Sequence, residues 1–301
     1  MRRPVDSPYL VPSDGFFRVA EAATLPPPDA PGRKTCRRAL KARVNTLSDL
    51  QRRLHADGRY AVLLIFQALD AAGKDSTIRK VLSGVNPAGC QVFSFGMPSS
   101  EALRHDYLWR TSSRLPERGR IGVFNRSYYE EVLAVRVHPE RLASQRLPPV
   151  VDPERIWEHR FESIRDHERH LTRNGVILLK FWLNVSREEQ GRRILRRLQD
   201  PSRNWKFSPQ DLFCREHWGE YMLAYEELLN ATSRPWAPWY AIPADDKPYM
   251  RMAVADIVVR TVERLNLHYP QLAEDARAQL EETRLLLERE LDPEQPAAGL
   301  H

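Results

Sequence analysis

The residues best suited to chemistry are a carboxylate and an amine four positions apart, Asp70 and Lys74, in a turn of small residues after an apolar run. Residues 61–66 predict a buried strand, and residues 76–82 predict the helix that follows it. The turn therefore lies at a helix N-terminus, where backbone N–H groups are unpaired and partly positive. The small segment Ala71-Ala72-Gly73 lets a polyanion approach that backbone closely. The pattern predicts a phosphate-binding loop in which Lys74 neutralises a phosphoryl group.

The loop departs from a Walker A pattern at two positions. Ala68 replaces the first Gly, and Asp75 stands where Ser or Thr would usually hold Mg²⁺. A tight strand-to-helix turn with a solvated Lys is therefore an alternative interpretation of this segment.

Asp70 would face the same phosphates that Lys74 attracts, which is unfavourable for a carboxylate. A divalent cation between Asp70 and the phosphate oxygens replaces that repulsion with attraction, as in other phosphoryl-transfer sites. We therefore expect Asp70 to bind Mg²⁺, with Mn²⁺ as a substitute. The alternative is that Asp70 caps the following helix.

A second group of polar residues follows another apolar run, residues 121–124. Asn125 occupies the point where many nucleotide-binding enzymes place a Walker B carboxylate, and its amide contributes no charge to a metal site. Arg126 beside it predicts a bidentate phosphate clamp. The alternative is a surface ion pair between Arg126 and Glu130 or Glu131.

Residues 186–197 predict a helix that carries four arginines. Ser186 and Glu189 have the spacing of a capping box, and the arginines follow in two pairs at i, i+4 intervals: Arg192, Arg193, Arg196 and Arg197. Such a concentration of positive charge is unfavourable without an anion, so we expect a mobile lid at about 186–218 that closes over the phosphate site. A solvated charged face is the alternative.

Apolar runs separated by helical stretches predict a three-layer α/β fold, in which helices cover both faces of a parallel sheet. The expected strands are 61–66, 91–95, 121–124, 176–184 and 239–243, and the expected helices include 38–54 and 101–111. Residues 1–37 contain the run Leu25-Pro26-Pro27-Pro28 and predict a partly disordered arm. The main domain is expected at 38–270, and a C-terminal helix with a tail at 271–301.

Composition fits one large globular domain, with 42% hydrophobic residues and a net charge of +6 that comes mostly from Arg. Arg pairs with phosphate oxygens in a bidentate fork. No apolar stretch is long enough for a membrane span, and the N-terminus lacks the apolar centre of a signal peptide, so we expect a cytoplasmic protein with no membrane partner. Cys36, Cys90 and Cys214 are too few and too far apart for a disulfide framework. Aromatic residues are not spaced through basic sequence, so we expect no nucleic-acid partner.

Five ordered blocks together closely resemble the family-2 polyphosphate kinases: residues 70–77, 105–110, 124–131, 200–207 and 243–247. The resemblance covers about residues 38–270. It implies a P-loop kinase fold similar to thymidylate kinase, and reversible transfer of the terminal phosphoryl group of inorganic polyphosphate to AMP or ADP with Mg²⁺. It also implies adenine nucleotides as acceptors, with guanine nucleotides as an alternative, and a dimer or tetramer.

The resemblance also implies roles for individual residues. Asp70, Lys74 and Arg126 would be catalytic, with Asp70 the metal ligand, and Glu130 is typical of members that accept both AMP and ADP. The implied phosphate contacts are Ala71, Ala72, Gly73, Asp75, Ser76, Thr77, Arg193, Arg197, Lys206 and Lys247, and the implied nucleotide contacts are Asn125, Tyr129, Glu130 and Arg136. Two other functions stay open at this point: an ATP-dependent nucleoside monophosphate kinase, and a P-loop protein that binds polyanions without turnover.

Overall fold

The architecture comes from a computed structural model, which describes residues 3–291, with the backbone alone at Lys206 and Asp211. Five strands form one parallel sheet in the spatial order β2-β3-β1-β4-β5. Their bounds are β1 Ala61–Gln67, β2 Cys90–Ser94, β3 Ile121–Asn125, β4 Val176–Asn184 and β5 Trp239–Pro243. All five strands were predicted from sequence, with ends shifted by no more than one residue.

Helices connect the strands and cover both faces of the sheet, which confirms the predicted three-layer α/β fold. The helices of the part of the chain that the structure describes are α1 Arg33–Asp57, α2 Lys74–Val81, α3 Trp109–Ser112, α4 Ala134–Val137, α5 Pro139–Ala143, α6 Ile156–Arg173, α7 Arg187–Gln199, α8 Gln210–Glu216, α9 Trp218–Thr232, α10 Lys247–Glu263 and α11 Glu274–Leu291.

The core divides into two layers because successive strand residues point to opposite faces of the sheet. Val62, Leu64 and Phe66 of β1 pack in the layer that contains α1 and α10. Leu63 and Ile65 pack in the layer that contains α6 and α9. Every residue of β1 is buried, as expected for a central strand of a parallel sheet. This strand and β3 beside it deliver the polar residues of the site to one edge of the sheet.

The helix predicted at 101–111 does not form as one element. The structure has a 3-10 turn, Ala102–Arg104, followed by the short helix α3. Asp106 lies between them and accepts a hydrogen bond from the Leu108 backbone N–H at 2.9 Å. This local turn competes with helical hydrogen bonding. The spacing of apolar residues does not predict such a turn.

Part of the N-terminal arm packs against β5, whereas the sequence predicted a partly disordered segment. Val5 and Val11 are buried, Val11 donates its N–H to the Trp239 carbonyl at 2.9 Å, and Ala241 donates to the Tyr9 carbonyl at 2.8 Å. The arm thus pairs with β5, which would otherwise be an open sheet edge. Proline-rich composition predicts a lack of regular helices and strands but does not reveal that a segment has an edge to cover.

Residues 3–267 form one compact unit, and residues from 268 onward form a second. In the second unit, α11 begins three residues later than predicted and buries none of its residues. Pro293 and Pro296 lie outside the described residues. Among residues 3–291, no helix combines the length and apolarity needed to cross a bilayer.

Candidate active site

The turn between β1 and α2, residues 68–74, is called the phosphate loop from here on. Ala71 adopts a left-handed conformation with φ 63°, and Gly73 has φ 111°. A positive φ is uncommon for residues other than glycine and is concentrated at functional sites, where surrounding contacts enforce it. The helix α2 begins at Lys74, so the loop wraps around a helix N-terminus as the sequence predicted.

Lys74 folds back over the loop. Its Nζ donates to the Ala68 carbonyl at 2.7 Å and to the Leu69 carbonyl at 3.3 Å, and the side chain is buried. Burial, together with the charge of Arg126, lowers the pKa of Lys74 to about 8. The ammonium is thus held by neutral carbonyls, which an incoming phosphate oxygen can replace with a charge-assisted bond.

Arg126 lies between two carboxylates. It makes ion pairs with Asp70 and, at 3.2 Å, with Glu130. Burial raises the pKa of Asp70, but the positive charges of Arg126 and Lys74 outweigh burial, so the pKa lies below its ordinary value. Arg126 also has φ 65°, and its N–H bonds the Phe66 carbonyl at 3.0 Å. The structure thus brings the three predicted catalytic residues together, while their roles stay predictions.

Oxygen atoms suited to a hard cation lie at the ends of β1 and β3. Asn125 donates from Nδ2 to Asp75 at 2.9 Å, whereas its Oδ1 is buried with no hydrogen-bond partner among the described residues. Residues 3–291 contain no group of three or more His, Cys, Asp or Glu that could hold a metal ion alone. Mg²⁺ commonly uses one or two carboxylates together with substrate phosphates and water, so Asp70, Asp75 and Asn125 fit that ion.

The predicted phosphate contacts on α7 and α10 differ in their surroundings. Arg193 is 6% exposed and donates to four backbone carbonyls. Arg197 lies close enough to Asp70 to lower the pKa of that carboxyl further. Lys247 begins α10, and burial followed by the charge of Arg193 lowers its pKa to about 8. Of the Lys206 side chain nothing is described, so the prediction for it lies outside the described residues.

Four of the side chains predicted to contact substrate have hydrogen-bond or ion-pair partners within the fold. The Ser76 hydroxyl bonds the Gly73 carbonyl at 3.0 Å, and the buried Thr77 hydroxyl faces the sulfur of Met250. The Tyr129 hydroxyl is fully buried and donates to Glu168 at 2.7 Å. Arg136 forms a bidentate pair with Glu227 of α9. The structure thus gives each of these side chains a partner within the fold, and their contacts with substrate stay predictions.

Several residues at the site were missed from sequence. Gln67, the last residue of β1, is fully buried and donates to Glu130 at 3.2 Å, and its Oε1 has no partner in the described part of the chain. A polar residue at the end of an otherwise apolar strand is a signal that could have identified it. Tyr225 of α9 is also buried, and burial and the charge of Glu130 raise its pKa well above the ordinary value. Its position in an apolar helix gave no comparable signal.

An apolar cavity of about 400 Å³ is lined in part by α3 and the first half of α6. Glu131, the neighbour of Glu130, lines it together with Arg110 and Arg160, and Leu103, Leu147 and Val151 supply much of its apolar wall. A wider depression of about 640 Å³ lies between α6 and α9, and neither it nor the first cavity is lined by Asp70, Lys74 or Arg126. Of these two, the first cavity is lined by Glu131, whose pKa is raised by burial and also by the nearby charge of Glu130, so this cavity is the better candidate for the ligand.

The sequence matches the family described as polyphosphate kinase 2 over residues 32–270. The chain belongs to the polyphosphate kinase 2 family. An ADP-polyphosphate phosphotransferase of Rhodopseudomonas palustris is 54% identical over 242 residues, which cover 80% of this chain and 84% of that protein. An AMP/ADP-polyphosphate phosphotransferase of Meiothermus ruber is 41% identical over 267 residues, covering 87% and 95%.

A solved structure agrees with this family membership. The crystal structure of polyphosphate kinase 2 from Arthrobacter aurescens superposes with a TM-score of 0.81 at 36% identity, covering 91% of this chain and 93% of that one. The P-loop kinase fold predicted from the resemblance is therefore confirmed, as is the resemblance itself.

Proposed function

We propose that this polyphosphate kinase 2 family member transfers the terminal phosphoryl group of inorganic polyphosphate to AMP or ADP. The single observation that carries the proposal is the position of Arg126 between Asp70 and Glu130, beside Lys74 of the phosphate loop. These groups follow β1 and β3, at the edge where parallel sheets bind ligands. The names of the two curated relatives, which specify ADP in one case and AMP or ADP in the other, support the choice of donor and acceptor.

The proposed roles follow from charge. Lys74 leaves the Ala68 and Leu69 carbonyls and binds the transferring phosphoryl group, while the Arg126 guanidinium stabilises charge that develops on its oxygens. Asp70 and Glu130 hold Arg126 in place from both sides before substrate arrives. Such preorganisation matters because the donors need not reorient during the reaction.

Asp70, Asp75 and the Asn125 amide oxygen would hold Mg²⁺. When bound, the ion neutralises phosphate charge and orients the phosphates for in-line transfer. The short supply of protein carboxylates fits an ion that takes its remaining ligands from substrate and water.

The cavity of about 400 Å³ would bind the nucleoside of the acceptor. Its apolar wall suits a base, and Arg110 and Arg160 at its polar side suit the α-phosphate or ribose. Leu103→Trp, which narrows the cavity, is expected to raise the KM for AMP at least about tenfold with little change in the KM for polyphosphate. Leu223→Trp, on an exposed face of α9, is the matched control.

One assay tests the function directly. The protein is incubated with Mg²⁺, polyphosphate and AMP or ADP, without ATP, and the nucleotides are separated by chromatography. Formation of ADP from AMP, or of ATP from ADP, supports the proposal. Conversion of AMP only when ATP is supplied would favour a nucleoside monophosphate kinase, for which the comparisons give no support. The expected dimer or tetramer stays a prediction for light scattering.

A further inference from the structure

Helix α7 directs two buried polar side chains, Gln190 and Arg193, toward the phosphate loop. Gln190 is fully buried, and Arg193 is 6% exposed. The exposed arginines Arg192 and Arg196 lie on the same helix but pair with Glu188 and Glu189 instead. The helix thus presents one polar surface to solvent and another to the back of the loop.

The two buried side chains bond three consecutive carbonyls of the loop. Gln190 Nε2 donates to the Asp70 carbonyl at 3.0 Å, and Arg193 Nη1 donates to the carbonyls of Ala71 at 3.3 Å and Ala72 at 2.6 Å. In a trans peptide, the N–H of the next residue points opposite to the carbonyl. These contacts therefore aim the N–H groups of residues 71–73 away from α7. The Ala72 N–H bonds the Leu69 carbonyl, so the N–H groups of Ala71 and Gly73 are the ones available to an anion that binds on the side opposite α7.

Arg193 also connects the phosphate loop to the segment that follows β5. Its Nη2 donates to the Ala244 carbonyl at 2.6 Å and the Asp245 carbonyl at 3.0 Å, just after β5, and its Nε donates to Glu189 at 2.8 Å. A guanidinium has five N–H donors, and these five bonds use one each. Arg193 thus has no donor left for a substrate phosphate, although its sequence position suggested such a contact.

We propose that Arg193, assisted by Gln190, is a positioning residue that fixes the amide groups of the phosphate loop from behind and does not touch polyphosphate. The loop needs such support because Ala71 has a left-handed backbone conformation, which is unfavourable for alanine unless surrounding contacts enforce it. Lysine cannot replace Arg193 in this role. The planar guanidinium donates to two pairs of carbonyls at once, whereas a compact ammonium group cannot reach both pairs. The effect on catalysis rests on the proposed function, whereas the effect on loop order does not.

The first test measures loop order in the substrate-free protein. Hydrogen exchange of a peptide that covers residues 68–77 is compared in wild type, Arg193→Lys and Arg192→Lys. We expect exchange to accelerate at least about tenfold in Arg193→Lys and to stay unchanged in the exposed control. Thermal unfolding checks that each variant folds. If Arg193→Lys does not fold, Gln190→Leu should give a smaller acceleration of the same peptide. Of the loop carbonyls it releases only that of Asp70, although it also removes the acceptor of a hydrogen bond from Arg215. Unchanged exchange in every folded variant would overturn the proposal, whether or not the protein has activity.

The second test separates positioning from substrate contact. Each charged contact with a polyanion adds to the slope of log KM against log salt concentration, and losing one contact reduces that slope by about one. A comparison of Arg193→Lys with wild type would not reveal a lost contact, because lysine keeps the positive charge. The slope is therefore measured in Arg193→Met. We expect a fall in kcat with an unchanged slope. A slope reduced by about one would assign Arg193 to the polyphosphate contact and overturn the positioning role. Absence of turnover in wild type would count against the proposed function only.

Discussion

Two buried lysines in this fold have similar electrostatics and different surroundings. Burial lowers the pKa of both Lys74 and Lys180 to about 8. Lys180, in the middle of the sheet, uses its three donors on Glu168 at 2.6 Å, the Tyr129 hydroxyl at 2.9 Å and the Thr232 carbonyl at 2.9 Å. Lys74 makes two hydrogen bonds to loop carbonyls within the described part of the chain.

The comparison shows that a lowered pKa does not by itself identify a catalytic lysine. The Lys180 network is closed, because Tyr128 and Tyr129 both donate to Glu168 and every member lies in the core. Near Lys74, by contrast, the side chains of Asp70 and Arg126 stay partly accessible, at 23% and 30%. Access for a ligand, and bonds that a ligand can replace, distinguish the site from the structural network.

The largest effect is expected from Lys74→Ala. Because Lys74 is proposed to contact the transferring group, kcat should fall at least about 10³-fold while the fold stays intact. The matched control is Lys80→Ala, at an exposed position of the same helix. Steady-state rates with polyphosphate and ADP, together with circular dichroism, check the prediction. Near-normal turnover in folded Lys74→Ala would refute the mechanism.

Lys180→Met should have the opposite effect to Lys74→Ala, with a large loss of stability and little change in activity. Removal of the ammonium leaves the Glu168 carboxylate buried without its partner, and breaking such a pair costs about 3 to 5 kcal/mol. Denaturant titration should therefore show a large loss in the free energy of unfolding, while kcat of the folded fraction changes little. Lys41→Met, on the exposed face of α1, controls for loss of charge. A strong fall in kcat with unchanged stability would reverse the assignment of the two lysines.

The pH dependence should also differ between stability and activity. From about pH 8 to 10.5 the unfolded chain keeps protons that folded Lys74 and Lys180 have lost, so both groups make stability rise with pH in that range. Activity should instead fall, because neutral Lys74 cannot attract phosphate: kcat/KM for polyphosphate should decrease about tenfold per pH unit above about 8. Lys180→Met and Lys247→Arg should both keep this fall. If kcat/KM no longer falls above about pH 8 in Lys247→Arg, the group whose deprotonation lowers activity is Lys247 and not Lys74.

The sequence predicted the parts of this site that one local segment determines. Asp70, Lys74 and Arg126 follow apolar runs directly, so predicting the strands also predicted where these side chains meet. Arg193 could not be assigned in this way, because spacing alone does not tell which of two arginine pairs on a helix faces the protein. Its burial depends on carbonyls after β5, about 50 residues away in the chain.

The pairing of the N-terminal arm with β5 was unpredictable for a similar reason. Its contacts with Trp239 and Ala241 are backbone hydrogen bonds to a sheet edge, which leave no pattern in side-chain composition. Tyr129 illustrates the same limit at a single position. It lies two residues after Ser127 in a motif that follows β3, yet its hydroxyl joins the closed network of Lys180. Motif membership located the segment, whereas tertiary packing decided which of its side chains face the opening.

The smallest effect is expected outside both lysine networks, at Arg136. Its pair with Glu227 is partly exposed, at 26% and 50%, and exposed pairs contribute at most about 1 kcal/mol. Arg136→Ala should therefore change the KM for AMP less than about twofold and stability only slightly. Arg110→Ala is the informative comparison, because Arg110 lines the cavity beside Glu131 and its loss should raise that KM about tenfold.

The two variants together distinguish two hypotheses for nucleotide binding: contact with Arg136, which the family resemblance implies, and binding in the cavity that Arg110 lines. If the nucleoside occupies the cavity of about 400 Å³, only Arg110→Ala weakens AMP binding. Arg136 instead contacts Trp157 and Glu227, which line the depression between α6 and α9. If Arg136→Ala raises the KM for AMP as much as Arg110→Ala does, the acceptor reaches α9 and the proposed cavity is not its binding site. Unchanged KM for polyphosphate in both variants would show that either effect is confined to the acceptor.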